Sequence, residues 1–210
     1  MKKIIKYLFL LTGGSFILAS CNDFLDREPL DSVTPDNFFF TENDLAAYAV
    51  KHYNFTTHEG FNAGIWRNDN ATDNQAATDY DKKWIPGQWK VPEAYDNPAS
   101  NDPWYFSAIR EANYFLETVV PRFEKGEIEG SETNIKHYIG EMYFLRAKNY
   151  LSKLETFGDF PIIKNTLPDE SASLIQASKR EPRHKVARFI LEDLDLAIGL
   201  LTNTISGGKN

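Results

Sequence analysis

Ile135, Ile139, Tyr143, Ala147, Tyr150, Leu154 and Phe157 recur at spacings of four or three, which puts them on one side of a 3.6-residue helix. That stripe predicts a long helix from about Thr133 to Phe157, ended by Gly158. A second stripe runs through Tyr105, Ile109, Ala112, Leu116 and Val119; Asp102 and Pro103 look like its cap and first helical residue, and Pro121 like its stop. A third helix is expected from Pro182, burying Val186, Ile190, Leu194, Ala197 and Leu201. Upstream, Thr41 reads as an N-cap with Asp44 closing a capping box and Phe40 stapled to Leu45, before a face of Leu45, Tyr48, Ala49, His52 and Tyr53. Asp159 to Ile163 reads as a short extended crossing. No segment alternates at the period of a strand for long enough to build a large sheet, so the fold class is all-α. Consecutive amphipathic helices have the look of a helical-repeat array, although the strict tetratricopeptide consensus is absent.

Between Asn54 and Asp102 the periodicity disappears. The segment is rich in Asn, Asp, Thr, Gly and Pro, yet it holds Trp66, Tyr80, Trp84, Trp89 and Tyr95. So many aromatics argue for an ordered, irregular surface region, with a short helix within 68–81. Neutral sugars present apolar C–H faces ringed by hydroxyls, so they call for flat aromatic platforms beside planar hydrogen-bonding groups. Trp66, Arg67, Asn68 and Asp69 bring these together in sequence, and Trp84 and Trp89 add platforms. The competing reading is that these tryptophans pack the loops onto the helices. Trp104, at the start of a helix, is expected in the core.

Other chemistry finds less support. A formal net charge of −7 has the wrong sign for holding phosphate backbones, so nucleic acid is not an expected partner. Asp69, Asp73, Asp79 and Asp81 form an acidic cluster, but neither Asp69 nor Asp73 starts a calcium-loop register with both its glycine and its final acid. His52, His58, His137 and His184 show no metal-ligand spacing, and no metal or cofactor is expected. Glu192, Asp193 and Asp195 are placed on the outer faces of a helix rather than in a cleft. Arg146 and Glu141, and likewise Arg110 with Glu111, are candidates for interhelical ion pairs, with structural or solvent-facing charges as the competing reading. Two rivals to a binding protein remain: a surface glycoside hydrolase using Asp69 or Asp73, and a helical scaffold that touches no sugar.

Met1 to Ser20 begins with Lys2, Lys3 and Lys6, continues into a short apolar run, and ends in Leu18-Ala19-Ser20 before Cys21. A basic start and a short apolar core read as an export signal. The small residues before the chain's single cysteine resemble the lipobox of bacterial lipoproteins, which makes Cys21 a lipid anchor; a cleaved soluble signal or a signal anchor is the alternative. Removing this segment removes three lysines and no acids, so the exported part is more acidic than the whole. The expected organisation is a lipoprotein signal peptide over 1–20, a lipid-anchored tether and extended segment over 21–40, and a helical domain over 41–210.

The order of several short stretches resembles the amino-terminal part of SusD/RagB-family outer-membrane lipoproteins. They are Cys21-Asn22-Asp23-Phe24-Leu25-Asp26, Phe38-Phe39-Phe40-Thr41-Glu42-Asn43-Asp44-Leu45 and Trp104 through Phe115. Glu141 through Ala147, Phe157 through Pro161 and Glu192 through Ile198 complete the series. The resemblance implies a tetratricopeptide-like helical scaffold with a long irregular ligand-binding loop region. It also implies a surface lipoprotein that binds oligosaccharides and delivers them to a SusC-like TonB-dependent transporter. Family members are longer, so further helices are expected to follow.

Overall fold

A computed structural model of the chain describes residues 38–53, 85–88, 90–92 and 103–203. Among them are five helices and only isolated bridges: α1 (Glu42–Lys51), α2 (Ser107–Lys125), α3 (Glu132–Phe157), α4 (Ser171–Ala177) and α5 (Arg183–Leu200). The short helix expected within 68–81 lies outside the described residues. No helix among the described residues is long and apolar enough to cross a membrane.

The long helix forms where its stripe placed it and ends at Gly158, whose φ of 71° is a left-handed conformation that suits glycine. Its burial is wider than one stripe. Tyr138, Met142, Leu145 and Arg146 are buried as well, because α3 is central and packs against α1, α2 and α5. Gly140 marks the tightest approach of α5. A Cβ there would lie 3.0 Å from Leu200 Cβ and 3.2 Å from the Ala197 carbonyl oxygen.

Phe39, Leu45, Tyr48, Phe115, Val119, Ile139 and Met142 belong to one apolar cluster, shared by α1, α2 and α3. A second cluster joins Ile109, Tyr150, Phe157, Phe160, Val186, Phe189 and Ile190. Phe160 reaches it from the extended crossing, where it exchanges two 3.1 Å backbone hydrogen bonds with Glu181. The expected crossing is therefore present and is paired to the residues just before α5.

The capping box at Thr41 is present: Thr41 Oγ1 accepts from Asp44 N–H, and Asp44 Oδ2 accepts from Thr41 N–H at 3.0 Å. The staple differs from expectation. Phe39 has a φ of 69°, a left-handed conformation costly for a side chain of this size. Its ring is fully buried, edge-on to Tyr48 and Phe115. The chain thereby turns Phe40 outward, to 40% exposure, beneath the Arg122 guanidinium at 4.1 Å.

Both predicted ends of α2 are corrected. Pro103 and Trp104 form a turn, and the helix begins only at Ser107. Lys153 holds the turn by donating to the Pro103 and Tyr105 carbonyls, while Phe106 and Trp104 stack with Phe160. Pro121 lies inside the helix on its exposed side. Arg122 beyond it donates to the Phe38 carbonyl at 2.7 Å, and Phe123 packs on the first cluster, so tertiary contacts carry the helix past the missing N–H. The true stop is Gly126 with φ 70°. There Gly126 N–H bonds the Phe123 carbonyl and Glu127 N–H the Arg122 carbonyl.

α5 follows its predicted stripe at Val186, Ile190 and Ala197. Leu201 departs from it at 38% exposure, and Leu191 and Ile198 are exposed on the other side.

Candidate functional site

The crossing after Phe160 is pinned by polar groups of α2 and α3. Tyr150 hydroxyl donates to the Ile163 carbonyl at 3.1 Å and accepts from Ile163 N–H at 2.8 Å. Burial is the main cause that raises its phenol pKa to about 12. Asn113, also buried, donates its amide to the carbonyls of Ile163 and Asn165 and offers Oδ1 to Arg146 at 2.9 Å.

Arg146 is the centre of this network. Its Nε and a terminal nitrogen each donate to Asp193 at 2.7 Å, giving a buried two-point ion pair between α3 and α5. The Arg146 half of the expected interhelical pairing is thus present. Glu141 instead takes the hydroxyl of Tyr53 at 2.6 Å and sits 3.0 Å from Nε2 of His137 on its own helix. Because Nδ1 of His137 accepts from Thr202 N–H, the Nε2 carries the proton toward Glu141.

Asp193 was expected on an outer face, and that expectation is corrected. It is 2% exposed, because α5 turns it into the α3 interface to meet Arg146. Glu192 and Asp195 do remain on the surface. The three acids therefore share no cleft, and Asp193 is committed to an arginine. Among the described residues no group of three or more His, Cys, Asp or Glu could hold a metal ion.

Above the pinned crossing lies an apolar cavity of about 340 Å³ between α2, the crossing and α4. Trp104, Phe106, Ile109, Pro161, Ile163, Leu167 and Leu174 contribute to its wall, with Arg110, Asn113 and Asn165 as polar members. Trp104 packs as expected. Its ring lies 4.1 Å from Phe157 and 5.7 Å from Phe160, its indole N–H donates to the Pro92 carbonyl at 2.8 Å, and the Arg180 guanidinium covers it at 4.8 Å. The cavity has no motif in sequence, since its walls come from three separate segments.

Trp66, Arg67, Asn68, Asp69, Trp84 and Trp89, together with Asp73 and Cys21, expected to carry the lipid, lie outside the described residues. The described residues form an all-α frame, a tetratricopeptide-like arrangement of helices around a central long one.

Comparison with known proteins gives that class its family. Residues 23–207 match the SusD-like family described as starch-binding and associating with the outer membrane, and the chain belongs to it. Two SusD-like proteins of Formosa agariphila, P2 and P38, are 26% and 28% identical over 193 and 203 residues. Those alignments take in 89% and 94% of this chain but only 36% and 37% of the relatives, so the chain spans little more than a third of their length. A crystal structure of a SusD-like protein from Bacteroides fragilis aligns with a TM-score of 0.55 at 23% identity. It covers 86% of this chain and 34% of its own, and the likeness establishes the fold.

Proposed function

We propose that the chain acts as a non-catalytic, cell-surface glycan-binding protein, held on the outer membrane by a lipid on Cys21 after removal of residues 1–20. In this reading it captures oligosaccharides and passes them to a SusC-like TonB-dependent transporter. The observation that carries the proposal is the match of residues 23–207 to a starch-binding family associated with the outer membrane.

Trp66, Trp84 and Trp89 serve as stacking platforms, and Arg67, Asn68 and Asp69 as planar hydrogen-bonding partners. The helices contribute a rigid frame: α3 is locked to α5 through Arg146 and Asp193, and the crossing is locked to α3 through Tyr150. A site of this kind selects by apolar contact and hydrogen bonding and needs no acid–base machinery.

Calorimetry of the full chain against a panel of starch-derived and other oligosaccharides, with reducing-end release followed in the same samples, tests the reading. Saturable binding with no release is the expected result. Sustained release abolished by Asp69→Asn or Asp73→Asn would make the protein a hydrolase, and a folded chain that binds no glycan would leave it a protein-interaction scaffold.

A further inference from the structure

The cavity between α2, the crossing and α4 is chemically unlike a sugar site. Its volume of about 340 Å³ is that of a small-molecule pocket. Ile109, Pro161, Ile163 and Leu174 make its lining largely aliphatic, and the aromatic rings of Trp104 and Phe106 complete it. Asn113 is its buried polar member, and both ends of that amide are already used, the nitrogen on two backbone carbonyls and the oxygen on Arg146. A ring of hydroxyls entering this space would lose water over a mostly apolar wall and find few replacement partners.

Two polar side chains at the cavity are not committed, those of Asn165 and Arg110, and of these only Arg110 carries a charge. Arg110 contributes to its wall, is exposed, and its guanidinium makes no hydrogen bond or ion pair among the described residues. Its neighbour Glu111 is occupied elsewhere, by Lys51 at 3.2 Å and by Ser107 at 3.0 Å. An apolar chamber beside an unspent guanidinium is complementary to a compact apolar body that ends in a carboxylate, because the arginine fork matches both carboxylate oxygens.

The remaining wall supplies a way in. α4 has seven residues and none is buried; Leu174, which faces the cavity, is 43% exposed and Ile175 69%. An element held by so little burial opens at low free-energy cost while the rest of the core stays closed.

We propose that this cavity is a binding site for a small apolar carboxylate, aromatic or branched aliphatic, with its body against Ile109, Ile163 and Leu174 and its carboxylate on Arg110. The proposal is independent of glycan binding and uses none of the residues assigned to it.

Calorimetry of the full chain with 3-phenylpropionate and with the uncharged 3-phenylpropionamide separates the contribution of the body from that of the charge. The acid is expected to bind saturably, and the amide at least tenfold more weakly. Arg110→Met, which keeps an apolar stem, is expected to bring the acid down to the level of the amide. Leu174→Trp, made on an exposed helix and therefore tolerated by the fold, is expected to fill the cavity and abolish binding with the helical circular dichroism unchanged. Equal binding of acid and amide, indifference to Arg110→Met, or a folded chain that binds neither compound would each overturn the proposal.

Discussion

Arg146 and Asp193, 47 positions apart, meet inside the protein through two 2.7 Å hydrogen bonds that tie α3 to α5. Each is under a tenth exposed, and the remaining arginine nitrogen donates to Asn113 Oδ1 and to the Lys164 carbonyl. Removing one partner leaves the other charge buried and unpaired, so Asp193→Ala should destabilise the fold by about 3–5 kcal/mol in urea unfolding. Joint replacement by Arg146→Met and Asp193→Leu should recover much of that loss. Equal stability of Asp193→Ala and wild type would remove the pair from any role in holding the frame.

Glu42 provides a second long-range lock. Its Oε2 accepts from Ser131 N–H at 2.8 Å and its Oε1 from the Asn134 amide at 2.7 Å, so a residue of α1 satisfies the amino terminus of α3. Ser131 makes no side-chain cap of its own. Glu42→Ala should cost about 1–2 kcal/mol, as loss of a helix cap does. Gly130→Ala should cost at least as much, since φ is 135° and the added Cβ would lie 2.5 Å from Glu42 Cβ. Thermal melts of the two variants check both effects.

Tyr150 makes its contribution through one oxygen. Tyr150→Phe leaves Ile163 N–H without its partner, whereas the Ile163 carbonyl keeps Asn113. A loss of about 1–3 kcal/mol is expected from one buried donor left unpaired. Because the crossing also forms the cavity wall, proteolysis near Ile163 should become faster in this variant.

His52 should make stability depend on pH. Burial is the main cause that lowers its pKa below the usual histidine value; Glu111, whose carboxylate is 3.4 Å from Nε2, acts in the opposite direction, and Lys51 adds to the lowering. The folded chain therefore binds this proton less readily than the unfolded chain. Its contribution is present above the unfolded histidine pKa of about 6.5 and is lost as pH falls through that value toward the folded one. Urea midpoints measured between pH 7.5 and 5.5 should fall on acidification, and the fall should be smaller in His52→Gln.

The surface assignment makes its own prediction. Cys21→Ala should release the protein from the membrane fraction, and Trp66→Ala, Trp84→Ala and Trp89→Ala should each weaken a bound oligosaccharide by about 1 kcal/mol. Membrane association unchanged by Cys21→Ala would dismiss the lipid anchor, and affinity intact in all three tryptophan variants would place the sugar elsewhere.

The sequence by itself determined what depends on near neighbours. The stripe from Ile135 to Phe157, its end at Gly158 and the Thr41–Asp44 capping box are local, because helix period, left-handed glycine and cap bonds are settled within a few residues. The packing of Trp104 against the second cluster was legible too, although the helix it was expected to open begins only at Ser107. Tertiary structure decided the rest. Whether Phe39 or Phe40 turns inward depends on the space between Tyr48 and Phe115, and the passage of α2 through Pro121 on contacts made by Arg122 and Phe123. Asp193 and Glu192 look alike in sequence, and only the arrival of Arg146 makes one of them interior. The cavity beside Arg110 exists because α2, the crossing and α4 fail to fill the space between them, a property of packed volumes that no local pattern encodes.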